Sequence, residues 1–442
     1  MSQAVYVAAT RFGMGMGQRE ASLSDGNAMQ WLWNQVQQPE STSDFSRLTS
    51  SQENAATLLR ARKSGDKDAA KEVRRGLKDV FIDEMRARIS HAITTPTPFY
   101  ERLVDFWSNH FTVSIQKGAV AGIAVAYERE AIRPHITGRF EDMLLAVAHH
   151  PAMLIYLDNA QSIGPDSMAG KRSGKGLNEN LAREIMELHT LGVHAGYTQT
   201  DVTNFAKVLT GWSLGPPESN NAGGFFFAPR RHESSTQTIF GKIYPDAGEA
   251  QGIAVLKDFS THPATAQHIA FKLARHFIAD DPPATVVKAL ADAFLQSGGD
   301  LKLVYRVLLM STEAWSLANI KIKSSYDLVV SAARLCAEGG EVDIPWCLQS
   351  LRFLGDVPFN ATSPAGFPDV AKDIAGPEAV LRRVEWAQGA ANKLLGKQSY
   401  VDLANLAIGP ILSSATREAL SSAHDQHQGF ALLLGSPEFQ RR

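Results

Sequence analysis

Apolar residues recur every three or four positions along most of this chain, and that spacing suits α-helices and little else. The stretch 52–93 is rich in Ala, Leu, Arg, Lys and Glu, all good helix formers, with a break at Ser64-Gly65-Asp66. Pro98 opens a further helix, whose apolar stripe is Leu103, Val104, Phe106, Trp107 and Phe111. Helices are also expected over 120–132, 140–148, from Pro151, over 178–191 with Gly192 as the stop, and up to 210 from a cap at Thr200 or Asp201. They resume over 263–279, 284–296, 301–311, 326–337, 378–395 and 414–423. Only 211–246 departs from the pattern, with turn formers Pro216-Pro217, Asn220-Asn221 and Gly223-Gly224 around short strands at Phe225–Phe227 and 238–244. The expected fold is mainly α, a large multi-helix orthogonal bundle with a small β-hairpin excursion near 224–245. A boundary near 247 divides an N-terminal helical lobe, 1–247, from a C-terminal one, 248–442. Packing of both into one continuous domain is the alternative.

Several function classes are disfavoured early. With a net charge of −2, nothing global selects nucleic acid or an anionic membrane. No run approaches the ~20 apolar residues of a membrane span. The first 17 residues lack the basic and apolar regions of a secretory signal, so a cytoplasmic location is expected. The two cysteines, Cys336 and Cys347, match no zinc spacing, and a bond between them is the less favoured option. There is no phosphate-binding Walker loop, no nucleophile elbow and no helical zinc-protease pair of histidines. The glycine-rich run 11–17 lacks a strand-to-helix context.

Four constellations could carry chemistry. At ~100° per residue, Glu179, Asn180, Arg183, Glu184 and Glu187 share one helix arc of about 140°, opposite Leu181, Ile185 and Leu188. Such an arc is either a solvated face with ladder ion pairs or the wall of a site in which carboxylates around one arginine hold a metal or divide acid from base. His189 stands at the edge of the apolar face. His110 follows Phe106 and Trp107 on an apolar stripe, as a core histidine bonded to a carbonyl or as a ligand or base. Asp158 and Asn159 end the helix that begins at Pro151, either closing a turn or marking a pocket rim. Arg230, Arg231, His232 and Glu233 lie in the β excursion, as a solvated tip or an anion-binding group. The polar loop 162–176, with Lys171, Arg172 and Lys175, is expected to be mobile. His268, Lys272, Arg275 and His276 read as a polar helix face without a role.

Taken together, 9–13, 106–111, 150–154, 156–159, 177–193, 196–199 and 209–212 form a series of phrases in a fixed order. The chain resembles the domain-of-unknown-function 1800 family over nearly its whole length. That resemblance implies a predominantly helical fold and no established reaction. It also implies an association with a phosphatase- or sulfatase-like neighbour protein, and export of many members. Export to the periplasm bound to that neighbour is therefore an alternative to a cytoplasmic location. Asn109, His110, Asp158, Asn178, Glu179, Arg183, Glu184, Glu187 and His189 fall on the motif stretches.

The expected function is a hydrolase-type enzyme with its site between helices. His110, Asp158, Glu179, Arg183, Glu184 and Glu187 are the catalytic candidates. Asn109, Asn159, Asn178, Arg231 and His232 are the substrate-binding ones, and the loop 162–176 serves as cover. A divalent metal ion held by His110, Glu184, Glu187 and His189 is a further option. The alternatives are a non-catalytic partner or maturation factor for the phosphatase-like neighbour, and a metal-independent glycan-active enzyme using Glu179 and Asp158.

Overall fold

Helix-forming sequence becomes helix nearly throughout. The structure, a computed structural model, describes residues 2–38, 43–174, 176–318, 321–337 and 342–442. It is 63% helical, with 23 α-helices and two small two-stranded sheets among the described residues. The family of local signals works as expected. Ser50 and Glu53 form a capping box for the helix Ser51–Lys63. Gly65 then takes a positive φ of 71°, and Asp66 accepts the N–H groups of Asp68 and Ala69 to start Lys67–Thr94. Two expected helices, 120–132 and 178–191, are shorter than foreseen and change pitch. Ala124–Tyr127 runs into a π-helical turn at Glu128–Ile132, and Asn180–Glu184 into another at Ile185–His189. A π turn is wider than an α turn, so an arc drawn for 3.6 residues per turn drifts.

The β structure differs in detail from one hairpin. Trp212–Leu214 pairs antiparallel with Phe225–Phe227, and Gln237–Ile239 pairs separately with Lys242–Tyr244. The second pair is joined by Phe240 and Gly241, both at positive φ, the conformation a tight hairpin demands. The loop 162–176 packs on this excursion: Gly164 donates to the Arg231 carbonyl at 2.8 Å and Asp166 to the Glu233 carboxylate at 2.9 Å. Lys175 lies outside the described residues. Cys336 and Cys347 are free, buried thiols. Among the described residues no helix is long and apolar enough to cross a membrane.

One hydrophobic cluster extends from Tyr6 to Phe439. At its centre lies the helix Pro98–His110, of which only Asp105 and Asn109 are not fully buried. Its Phe99 meets Phe12 at 5.8 Å and Phe277 at 6.0 Å, and the Trp107 indole donates to the Tyr305 hydroxyl at 2.7 Å. A helix so deep can carry charge only if that charge is paired. Glu101 takes two hydrogen bonds from Arg133, at 2.7 and 2.8 Å, and Arg102 reaches Asp327 and the Gly13 carbonyl. The C-terminal end of this helix opens onto the site.

Candidate functional site

A cavity of about 790 Å³ lies against the end of Pro98–His110. The segment following the π turn Ile185–His189, the helix Pro263–Phe277, the start of Ser325–Cys336 and the loop 356–373 complete its walls. Asn109 ties that loop in place. Its side chain donates to the Phe367 carbonyl at 3.0 Å and accepts the Phe367 N–H at 2.7 Å. Gly366, at φ +83°, makes this approach feasible, because a Cβ there would stand 2.5 Å from the Asn109 carbonyl oxygen.

Histidines occupy one side. His110 Nε2 donates to the His189 carbonyl at 3.1 Å, which fixes the neutral ring with its proton on Nε2. Nδ1 is then a lone pair, buried and without a partner. Burial, followed by the charge of Lys272 and the neighbouring His189 and His268 rings, holds the His110 pKa well below the ordinary value. The His189 and His268 rings lie 6.1 and 6.2 Å from it. Burial lowers their pKa values to about 3 and about 4, with Lys272 adding to the effect. His268 donates in turn to the Leu188 carbonyl at 3.0 Å.

Carboxylates occupy the other sides, in two distinct states. Asp369 is half-buried, but His276 at 3.2 Å, Lys321 at 3.4 Å and Arg442 outweigh the desolvation and hold it below the usual carboxylate range. Asp327, between Arg102 and Arg442, is lowered in the same way. Asp356 is pushed up to about 6, first by burial and then by the neighbouring Asp105. It accepts the backbone N–H groups of Ser325 at 3.0 Å and Tyr326 at 3.4 Å. Burial also raises Asp105, although Arg88 lies 3.1 Å away. The Arg88 guanidinium covers the Tyr326 ring at 4.6 Å, and the buried Tyr326 hydroxyl has no hydrogen-bond partner.

The sequence family described as "Protein of unknown function (DUF1800)" matches residues 7–441. The chain belongs to this family. No curated protein and no solved structure matches it. Of the candidate residues on the DUF1800 motif stretches, Asn109, His110 and Glu187 line the cavity. His189 stands just behind it, offering its carbonyl to His110. Of the expected convergence with His110, only Glu187 arrives; Asp158, Glu179, Arg183 and Glu184 do not line the cavity. Asp158, in left-handed conformation at φ +60°, closes the helix Pro151–Tyr156 and pairs with Lys117 at 2.5 Å. Glu184 lies off the cavity wall, its pKa raised by burial and then by Glu187. Arg183 bridges Glu179 at 3.1 Å and Glu187 at 3.4 Å. Glu179 also accepts from Thr203 at 2.6 Å and Gln199 at 2.8 Å, which lowers its pKa.

The other substrate-binding candidates hold backbone. Asn159 donates to the Leu209 and Trp212 carbonyls at 3.1 and 3.0 Å. Asn178 accepts from the Asn180 N–H at 2.9 Å. Arg231 donates to the Ala160 carbonyl at 3.1 Å, and His232 meets the Thr210 carbonyl at 3.0 Å. Among the described residues no three His, Cys, Asp or Glu side chains form a metal-holding group, and His110, Glu184, Glu187 and His189 do not make one. Among its described residues the loop 162–176 supplies nothing to the cavity wall.

Sequence reasoning passed over most of the wall of this DUF1800 cavity. His268, Lys272 and His276 succeed one another at the four-residue interval that puts them on one helix face, a signal present in the sequence. Asp327, Asp356 and Arg442 carried no local signal, and Asp369 only its place in the Pro- and Gly-rich run 364–377.

Proposed function

We propose that the chain is a hydrolase-type enzyme acting by general acid/base catalysis in this cavity. The observation that carries the reading is the buried His110 Nδ1 lone pair, freed by the Nε2 bond to His189 and without a partner, on a residue that lines a ligand-sized cavity. His110 acts as the base that takes a proton from water. Asp356, with a pKa near neutrality, is the acid that gives one to the leaving group. Two groups whose environments move them in opposite senses, a histidine downward and a carboxyl upward, are the pattern expected of a divided acid and base.

The test is a panel of fluorogenic esters, phosphoesters and glycosides given to the purified protein. His110→Gln keeps a donor for the His189 carbonyl and removes the lone pair; it should lower kcat/KM by on the order of 10²-fold or more. Asp356→Asn should remove the fall in rate as pH rises through the carboxyl's pKa. Turnover that survives both substitutions, or a panel without turnover, removes the reading.

A second reading, a non-catalytic partner of a phosphatase- or sulfatase-like protein, is favoured by the ladder of Glu179, Arg183 and Gln199, which lies off the cavity and reaches the surface. Co-purification with such a protein, lost in Arg183→Glu, supports it.

A further inference from the structure

Lys272 stands out among the charges of the cavity because it has no partner. It lies on the helix Pro263–Phe277, one turn from His268 and one from His276, half-buried on the wall. It makes no hydrogen bond or ion pair with any described residue. The other cations on the wall are engaged. Arg88 holds Glu128 and Asp105, Arg442 holds Asp327 and Asp369, and Arg275 donates to the Asp280 carbonyl at 3.2 Å while covering the Phe271 ring at 4.3 Å.

The anions do not answer it: Asp373 stands exposed on the wall without an ion pair to any described residue, and the one carboxylate whose field reaches Lys272 is Asp369. Asp369 is claimed by His276, Lys321 and Arg442. Glu187 faces Arg183, and Asp356 is satisfied by backbone N–H groups. The field of the ammonium falls instead on His110, His189 and His268, which supply no negative charge. A half-buried ammonium that lines a cavity without a counter-charge is open to pairing with an anion that enters it. Elsewhere the cavity wall carries apolar and aromatic side chains: Phe106, Leu188, Leu191, Phe271, Phe359 and Phe367.

We infer that the cavity takes an amphipathic organic anion, a molecule with an apolar body and one carboxylate, phosphate or sulfate group, and that Lys272 is the counter-ion of that group. The anionic group completes the unpartnered ammonium, and the apolar body covers the aromatic wall. This deepens the hydrolase reading by naming its substrate class, and it rests on the same cavity. Lys272 acts here as a binding residue, with no part in proton transfer.

The experiment uses two probes with one aromatic skeleton, 8-anilinonaphthalene-1-sulfonate and the uncharged N-phenyl-1-naphthylamine, titrated by fluorescence and calorimetry against the full chain. The sulfonate is expected to bind at one site. Lys272→Met should weaken it at least about tenfold, and Lys272→Arg should restore most of the loss. The uncharged probe should be indifferent to both changes. Circular dichroism checks the fold of each variant. If Lys272→Met does not fold, Lys272→Gln takes its place, and the salt dependence of sulfonate against neutral binding in the unmodified chain gives a second reading of the same charge.

Equal binding of the sulfonate to the unmodified chain and to Lys272→Met overturns the assignment, and so does the absence of any sulfonate site. The two proposals fail separately. Lysine-dependent sulfonate binding with a silent hydrolase panel keeps the anion site and removes the enzyme. Turnover confined to uncharged substrates, with sulfonate binding blind to the lysine, does the reverse.

Discussion

The histidines around the cavity make the protein acid-sensitive in a narrow window, and the size of the effect follows from their surroundings. His189 and His276 are buried, and burial lowers their pKa values to about 3 and about 4, assisted by Lys272 at His189 and by Arg442 at His276. In the unfolded chain each titrates near ~6.5. Above that value neither state is protonated and the rings contribute nothing to pH dependence. Below it the unfolded chain binds protons that the native state refuses, so stability falls with pH until the folded values are reached. Between about pH 7 and about pH 5 each ring removes about 2 kcal/mol. His268, half-buried, adds less. Asp356 works the other way: its raised value means the native state gains a proton first, and its neutral form returns about 1 kcal/mol over the same interval. The carboxylates held low, Glu101 at about 2 and Asp369, lose their contribution only in stronger acid. These groups together give a loss of roughly 4 kcal/mol on going from about pH 7 to about pH 5, and His110, buried and lowered in the same sense, adds to it. Urea unfolding followed by tryptophan fluorescence measures it. His276→Gln, which keeps a donor for Asp369, should reduce the pH dependence by about 2 kcal/mol. A flat stability between these pH values, or a slope unchanged in His276→Gln, refutes the assignment of neutral, buried rings.

Three further outcomes are expected. Asp327→Ala leaves Arg102 and Arg442 buried without their shared carboxylate and should lower stability by about 3–5 kcal/mol, read as a shift in denaturation midpoint; a shift within error contradicts the pairing. Gly366→Ala places a Cβ 2.5 Å from the Asn109 carbonyl oxygen at a positive φ, so the 364–370 segment should lose its clamp and be cut faster by proteases, while unchanged cleavage speaks against the tie. Cys336 and Cys347, whose thiols burial pushes up to about 12, should resist iodoacetamide in the native chain and react on unfolding; alkylation of the native chain at the rate of a free thiol contradicts this.

Much of the helical frame was readable from residue order, because caps, prolines and glycines act on their immediate neighbours. Ser64-Gly65-Asp66 breaks a helix and caps the next, Pro98 opens the central one, and Gly192 at φ +85° stops another. The apolar stripe around His110 also announced a ring inside the core rather than in water. The pitch change at Ile185–His189 was not readable, nor was it readable that of the Glu179–Glu187 face only Glu187 reaches the cavity. The cavity itself was decided by tertiary packing. His110 meets His268 across 158 intervening steps of chain, and Arg442 meets Asp327 across a core assembled from every part of it. Periodicity states which side of a helix turns inward, and it is silent on what waits there. Whether an imidazole stays neutral, a carboxyl keeps its proton or a lysine lacks a partner depends on burial and field, which exist only once distant segments have packed.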